Sequence, residues 1–226
     1  MKKGYTHIIM VLDRSGSMGS VWDDTMGGFN SFIKAQKKVP GVATVSLVQF
    51  DDQYEPLLDF IPLKEVKPLT RETYIPRGMT ALLDAIGRTM VKEGEKLAAM
   101  DEDDRPDRVI LVVITDGQEN ASSEYTRDRI FKLIRHQEET YSWKVVFIGA
   151  NQDAIATGAQ LGVMAANALT YAATAKGTQH LFSTVARSMA AYRTTDDRSV
   201  AYAAGFFTDD DRKKQEDELK KSNTVT

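Results

Sequence analysis

The sequence predicts an α/β domain in which helices cover both faces of a doubly wound, mostly parallel sheet with one antiparallel edge strand. Continuous apolar runs, typical of strands buried on both faces, alternate with segments whose apolar residues recur at helical spacing. The 226-residue chain has room for one domain of this class and a short appendage. Because it contains no cysteine, core burial must stabilise it rather than disulfides or thiolate metal sites.

The first half of the chain predicts a strand, a helix and a hairpin. Residues 8–12 are an apolar run, and the segment that follows has apolar residues at helical spacing until Pro40. Residues 42–50 are rich in β-branched side chains, and a turn separates them from a second strand at 54–60. We therefore expect an antiparallel strand at one edge of the sheet.

The second half continues the alternation. An apolar stripe indicates a helix that begins just after Thr80, and the strongest strand signal, residues 109–114, is followed closely by Asp116. The later elements are a helix at 124–140, a strand at 144–149, a short helix at 153–160, a weak strand at 168–171 and a helix that carries Leu181 and Met189. This order is typical of a Rossmann-like sheet.

We assign residues 1–193 to this domain and residues 194–226 to a charged C-terminal tail that is partly helical or flexible. Charge is densest between Thr208 and Lys221, which predicts a solvated helix or a frayed end, with an interaction arm as the alternative.

The composition excludes several classes of partner. A net charge of -3 gives no electrostatic footprint for nucleic acid, so we expect no nucleic-acid partner. No segment has the roughly 18 to 20 apolar residues that cross a bilayer. The run at residues 8–12 is too short for a signal peptide, so we expect a cytoplasmic protein without a membrane segment.

Carboxyl and hydroxyl groups cluster where two predicted strands end. Asp13, Ser15 and Ser17 follow the first strand, Asp116 follows the strongest strand, and Thr80 lies between them at a helix start. In doubly wound sheets, ligands bind at the carboxyl ends of the strands, where the strand order reverses. These oxygens are hard donors that suit Mg²⁺, Mn²⁺ or Ca²⁺ rather than a soft metal. Taken singly, the motif that begins at Asp13 is more often a helix cap, and the motif around Asp116 is more often a turn.

Asp13-x-Ser15-x-Ser17, Thr80 and Asp116, in this order and on these elements, resemble the metal-ion-dependent adhesion site of von Willebrand factor A domains. The resemblance covers about residues 5–190 and extends to the helix after Thr80 and to the strand and turn at 147–153. It implies that Ser15, Ser17 and Thr80 bind one cation directly, most simply Mg²⁺, while Asp13 and Asp116 act mainly through water.

The resemblance also implies a binding function. Neutral hydroxyl ligands leave the cation poorly neutralised, so a carboxylate from an Asp or Glu of a partner protein is the favoured additional ligand. The predicted rim of the partner site consists of Met18, Trp22, Arg77, Met79, Gly117, Glu119 and Asn120. Among these, Arg77 and Met79 depart from the family pattern, because many relatives have glycine there.

Alternative interpretations remain at this point. The same metal face could dock a permanent neighbour, as a structural or assembly component of a phage particle or a multi-protein machine. A strand-end aspartate beside Mg²⁺ also serves phosphoryl hydrolases, but Ser15 occupies the place of their second aspartate and no motif supplies a base, so we do not expect an enzyme. The compact chain resembles stand-alone bacterial or phage members. The partner and the oligomeric state stay open.

A second cation site is a further possibility. Asp51, Asp52 and Glu55 lie in and beside the predicted hairpin turn, and their carboxylates could bind a cation. An exposed turn explains the same residues at least as well.

Overall fold

The computed structural model describes residues 1–150 and 153–223, arranged around a six-stranded sheet. The strands are β1 (Lys2–Asp13), β2 (Val42–Phe50), β3 (Tyr54–Pro62), β4 (Pro106–Thr115), β5 (Lys144–Ala150) and β6 (Ala168–Tyr171). They lie in the order β3-β2-β1-β4-β5-β6, and every neighbouring pair is parallel except β2 and β3. The predicted doubly wound sheet with one antiparallel edge strand is confirmed.

Helices cover both faces of this sheet. They are α1 (Trp22–Gln36), α2 (Leu82–Ala99), α3 (Arg127–Tyr141), α4 (Ala154–Gln160), α5 (Ala175–Thr194), α6 (Arg198–Ala203) and α7 (Asp209–Asn223). Successive side chains of a strand point to opposite faces, so Ile8 and Met10 pack with α1 and α5 whereas Ile9 and Val11 pack with α2 and α3. In the described residues, no helix has both the length and the hydropathy needed to cross a bilayer.

The start of α3 differs from the prediction. The helix begins at Arg127 instead of residue 124, with Thr126 as its N-cap. The three preceding residues donate their main-chain N–H groups to the carboxylate of Asp84, which holds them in a loop. In the sequence, these polar residues look like the first turn of the helix. Their hydrogen bonds to Asp84, which is distant in the chain, keep them out of it.

The C-terminal segment is packed against the domain. Phe206 and Phe207 are buried in the core, and α7 contacts α5 and β6. One face of α7 is also buried: Asp211 pairs with Arg187, and the Gln215 amide bonds main-chain atoms around the start of α5. The segment is helical, but the prediction of a solvated helix is wrong for this face, because polar residues there make buried contacts that composition does not reveal.

The position of β1 in the sheet determines where the candidate site lies. The chain leaves β1 toward β2 on one side of the sheet and leaves β4 toward β5 on the other, so the strand order reverses between β1 and β4. Leu12 pairs with Ile114 in the parallel register, which places Asp13 beside Thr115 at the carboxyl ends of the two strands. The turn after Phe147 that resembles the family includes Asn151 and Gln152, which lie outside the described residues.

Candidate metal site

Asp13 lies at the end of β1 and is fully buried. One carboxylate oxygen accepts a hydrogen bond from the Thr115 hydroxyl at 2.5 Å, and the other accepts one from the main-chain N–H of Ser15 at 2.6 Å. Both oxygens are therefore engaged by neighbouring donors, which fixes the orientation of the carboxylate between the two strand ends.

A chain of hydroxyl groups joins the β1 loop to the β4 loop. Ser15 Oγ lies 3.1 Å from Ser17 Oγ, and Ser17 Oγ donates to Asp116 Oδ1 at 2.6 Å. Ser15 is buried, whereas Ser17 is exposed. The cluster thus begins in the interior of the domain and reaches the surface.

Thr80 reaches this cluster beside Gly117. A Cβ atom placed on Gly117 would lie 2.8 Å from Thr80 Oγ1 and 3.6 Å from Ser15 Oγ. Because a real Cβ makes almost no contact shorter than 3.0 Å, a side chain at this position would displace its neighbours. Glycine leaves a space between hydroxyls from two different loops. The structure therefore brings all the predicted metal ligands together.

The two carboxyl groups have raised pKa values. Burial raises the pKa of Asp13 to about 6; hydrogen bonds from Thr115 and Ser15 oppose the shift, while the nearby Asp116 adds to it. Burial also raises the pKa of Asp116, although its hydrogen bond from Ser17 opposes the change. A cation placed beside these groups would favour their charged forms and so lower both pKa values.

The donor set fits a hard divalent cation. Across residues 1–150 and 153–223, no three His, Cys, Asp or Glu side chains lie together as metal ligands would. The cluster at the strand ends offers hydroxyl oxygens as well as carboxylates. Hydroxyl and carboxylate oxygens suit Mg²⁺, Mn²⁺ or Ca²⁺.

Tyr74, for which the sequence predicts no role, supports the site from the loop that leads to Thr80. Tyr74 is buried, and its hydroxyl donates to the main-chain carbonyl of Asp13 at 2.7 Å. The indole N–H of Trp22 in turn donates to the Tyr74 carbonyl at 2.7 Å. Further along the loop, the Arg77 N–H donates to the Arg14 carbonyl. A lone tyrosine without a motif gave no signal of this role.

The hypothesis of a second cation site in the hairpin turn is wrong. Asp51 is buried, and its Oδ2 atom lies 3.1 Å from Arg14 Nε and 2.9 Å from Arg77 Nε. Arg14 also pairs with Glu55 at 2.7 Å. Two guanidinium groups thus already pair with two of the three carboxylates of this turn. The same contact gives Arg77 a structural role.

The predicted rim divides into buried and exposed residues. Met18 is fully buried in the 3₁₀ turn Gly16–Val21, so its prediction as a partner contact is wrong. Trp22 is half-buried and packs against the core, where it supports Tyr74. In contrast, Met79 is 55% exposed and Arg77 is also exposed, and both flank the site through the loop that ends at Thr80.

The remaining rim residues lie on the loop that follows β4. Gly117 is half-buried beside the hydroxyl cluster, Glu119 is half-buried, and Asn120 is exposed. The side chains of Glu119 and Asn120 accept hydrogen bonds from main-chain N–H groups around the start of α2.

No protein-family model matches the sequence, and a search of curated proteins finds no relative. Solved structures do match. Proximal thread matrix protein 1 from the mussel byssus aligns with a TM-score of 0.56 and 15% identity, over 84% of this chain and 47% of that one. Another structure of that protein, described as having a zinc-occupied MIDAS motif, aligns with a TM-score of 0.55 and 16% identity, over 83% of this chain and 46% of that one.

Two further structures extend the likeness to other organisms. The ArnB paralog VWA2 from Sulfolobus acidocaldarius aligns with a TM-score of 0.53 and 18% identity, over 82% and 45% of the two chains. A von Willebrand factor type A protein from Catenulispora acidiphila aligns with a TM-score of 0.52 and 12% identity, over 85% and 43%. The chain spans less than half the length of each of these structures. With its sheet order and the site at the β1 and β4 ends, these matches show that the chain has a von Willebrand factor A fold.

Proposed function

We propose that the chain is a protein-binding module in which a divalent cation takes a carboxylate from an Asp or Glu of a partner protein. The observation that carries the proposal is the convergence of three hydroxyl and two carboxyl side chains from three loops at adjacent strand ends. Ser15, Ser17 and Thr80 would hold the cation directly.

The contacts of the two acids support this division of roles. Both oxygens of Asp13 already accept hydrogen bonds, so the carboxylate suits an indirect role through water. Neutral hydroxyl ligands leave most of the charge of the ion available to an incoming carboxylate. Since Ser17 is exposed, the ion would face solvent on the side from which a partner arrives.

The surroundings of the site supply an apolar border. The side chains of Met79 and Ile75 are 55% and 46% exposed, although both are large and hydrophobic. They belong to the loop that supports Asp13 through Tyr74 and ends at the ligand Thr80. A partner carboxylate on the metal would bring its neighbouring residues against this border, which would bury apolar area.

The choice of ion rests on ligand chemistry. Oxygen ligands favour Mg²⁺, with Mn²⁺ or Ca²⁺ as alternatives. The zinc-occupied MIDAS motif of the mussel protein supports a divalent ion at this place in the fold, but at 16% identity it does not specify which one. A cytoplasmic location, the absence of a nucleic-acid partner and a non-enzymatic role stay predictions.

Metal binding is tested first with Mn²⁺ as the probe. Electron paramagnetic resonance reports free Mn²⁺, and we expect the wild-type chain to remove one equivalent. Ser17→Ala and Thr80→Ala should each abolish this binding. Ser20→Ala is the matched control, because Ser20 lies in the same 3₁₀ turn and its hydroxyl bonds only the carbonyl of Ser17 among the described residues. Wild-type Mn²⁺ binding by Thr80→Ala would contradict the assignment of ligands.

Partner binding is tested by affinity capture from a host lysate. We expect a protein that is retained in Mg²⁺, released by EDTA and not retained by Ser17→Ala. Retention that is equal in Mg²⁺ and EDTA would argue for a permanent assembly contact that does not use the ion. Turnover of p-nitrophenyl phosphate that requires Mg²⁺ and disappears in Asp13→Asn would instead favour the hydrolase.

A further inference from the structure

Helix α2 begins without a cap of its own. Its N-cap residue is Ala81, which has no side-chain acceptor, although the first N–H groups of any helix lack partners within it. Here the loop after β4 provides the acceptors. Leu83 N–H donates to Glu119 Oε2 at 2.9 Å, and Asp84 N–H donates to Ser122 Oγ at 3.0 Å.

The contact between this loop and α2 is reciprocal. Glu119 accepts hydrogen bonds from the main-chain N–H groups of Ala121 and Ser122 at 3.0 and 2.7 Å, which folds the loop around its carboxylate. In the other direction, Asp84 on α2 accepts from three consecutive N–H groups at 123–125. A carboxylate at a helix N-terminus is also favoured by the helix dipole. The loop and the helix start therefore form one unit.

Within this unit, Asn120 holds the main chain of Thr80. The side-chain Oδ1 atom of Asn120 accepts a hydrogen bond from the main-chain N–H of Thr80 at 2.8 Å. The main-chain N–H of Asn120 donates to the Thr80 carbonyl at 3.1 Å. Both peptide groups of a predicted metal ligand are thus bonded to a residue on the loop that carries Asp116. The distance between Thr80 and Asp116 then depends on these two hydrogen bonds.

We propose that Asn120 is a positioning residue for the metal site, which sets the place of the Thr80 hydroxyl relative to Asp116. The proposal rests on the proposed function, since it requires that Thr80 binds the ion. The Asn120 side chain bonds the main chain of Thr80 and would not bind the ion itself. This role differs from the partner contact that the sequence predicts. Residues that orient metal ligands typically change metal affinity by about 10- to 100-fold when they are replaced.

The first test measures Mn²⁺ affinity in Asn120→Ala. We expect the dissociation constant to rise at least about tenfold, while the melting temperature in EDTA stays close to that of the wild type. In the same variant, the amide of Thr80 should exchange with D₂O faster, because its acceptor is gone. Exchange is read in EDTA, so this signal does not depend on metal binding.

The second test separates the hydrogen bond from charge. Asn120→Asp keeps the acceptor for Thr80 and should restore tight Mn²⁺ binding, but it also adds a negative charge. The double variant Gln118→Asp/Asn120→Ala adds the same charge at a neighbouring exposed position without that acceptor. We expect it to bind as weakly as Asn120→Ala.

Each outcome decides the proposal. Restoration of affinity by the double variant would show that charge, not position, governs the site, and would overturn it. If Thr80→Ala loses Mn²⁺ while Asn120→Ala binds it as the wild type does, this inference fails and the proposed function stands. If the wild type takes up no Mn²⁺, both fail together.

Discussion

The two ends of the parallel strands bury polar groups in different ways. The carboxyl edge is the side of the sheet where β1 and β4 end, and the amino edge is the opposite side, where β4 and β5 begin. At the carboxyl edge, Asp13 and Ser15 are buried among other acids and hydroxyls. At the amino edge, several buried groups are basic and bond main-chain carbonyls. Arg108 at the start of β4 donates to the carbonyls of Tyr192 and Arg193 at 3.0 and 2.7 Å and also to the carbonyl of Thr195.

The same arrangement recurs along the amino edge. Lys144, at the start of β5, donates to the carbonyls of Tyr202 and Ala204 at 2.8 and 2.7 Å. Arg193 donates to the carbonyl of Gln36 at 2.9 Å. These carbonyls lie at the ends of α5, α6 and α1, where helix carbonyls lack intrahelical partners and carry the negative end of the helix dipole.

The two edges differ in the source of the positive charge that their oxygen atoms surround. At the amino edge, oxygen atoms surround a cation that is part of the chain, so the contact forms whenever the protein folds. At the carboxyl edge, the converging oxygens belong to acids and hydroxyls, and the proposed cation must come from solution. We therefore expect the basic contacts at the amino edge to stabilise the fold with or without metal, whereas the cluster around Asp13 should add stability when metal is bound.

The largest expected effect is at the amino edge. Arg108→Met removes the guanidinium group and leaves the carbonyls at the end of α5 buried without their donor. Each buried acceptor left without its donor typically costs about 1 to 3 kcal/mol, and Arg108 serves at least two of them. Urea unfolding should show a loss of this order, and the loss should be equal in Mg²⁺ and in EDTA.

Arg127→Met is the matched control for this variant. Arg127 is exposed at the start of α3, and its side chain makes no hydrogen bond or ion pair within the described chain, so its replacement should leave the free energy of unfolding almost unchanged. A similar loss in both variants would mean that burial at the amino edge has no special part in stability.

The next effect concerns the carboxyl edge. Mg²⁺ at about 100 times its Kd should raise the free energy of unfolding of the wild type by about 2.7 kcal/mol, because the ion binds only the folded state. Thr80→Ala should lose this gain. Arg108→Met should keep it despite its lower stability, since its defect lies at the opposite edge. If Mg²⁺ stabilised Thr80→Ala as much as the wild type, the ion would have to bind elsewhere.

The buried acid Glu138 makes the stability of the amino edge depend on pH. Burial raises the pKa of Glu138 from 4.5 to about 6, although the positive charges of Arg135 and Lys144 oppose the shift. The folded state therefore binds this proton more tightly than the unfolded state, and the stability it contributes is lost as pH rises from about 4.5 to 6.

Glu138→Gln should remove this pH dependence. In EDTA, the stability of the wild type relative to the variant should fall by about 1 to 2 kcal/mol between pH 4.5 and 7. Comparison of the two proteins cancels the titration of other groups, including Asp13. A difference that stays constant across this range would show that Glu138 has no raised pKa.

The comparison also explains what the sequence could predict. The strands and the metal ligands are local signals: apolar runs such as residues 109–114 predict strands, and Asp13, Ser15 and Ser17 form a compact motif at a strand end. The basic amino edge depends on contacts between residues far apart in the chain. Arg108 and the carbonyl of Tyr192 are 84 positions apart, and nothing in the periodicity of either segment links them.

The same limit applies around the site itself. Thr115 and Tyr74 hold Asp13 through single hydrogen bonds, and Asn120 holds Thr80 through two. None of these contacts belongs to a recognisable pattern. An exposed asparagine beside a metal loop is therefore easily assigned to the partner rim, and only the geometry shows that it bonds the main chain of a predicted ligand.

The smallest expected effect tests the space between the hydroxyls. A Cβ in Gly117→Ala would lie 2.8 Å from Thr80 Oγ1 and would push that hydroxyl away from Ser15, so Mn²⁺ affinity should fall about tenfold, or about 1.4 kcal/mol. Gly19→Ala is the matched control, because its Cβ would meet nothing within 4 Å. Equal Mn²⁺ affinity in both variants would show that the space beside Gly117 is not where the ion binds. Weaker binding in Gly117→Ala alone would place the ion between the loops and show that the carboxyl edge needs open space where the amino edge needs a side chain.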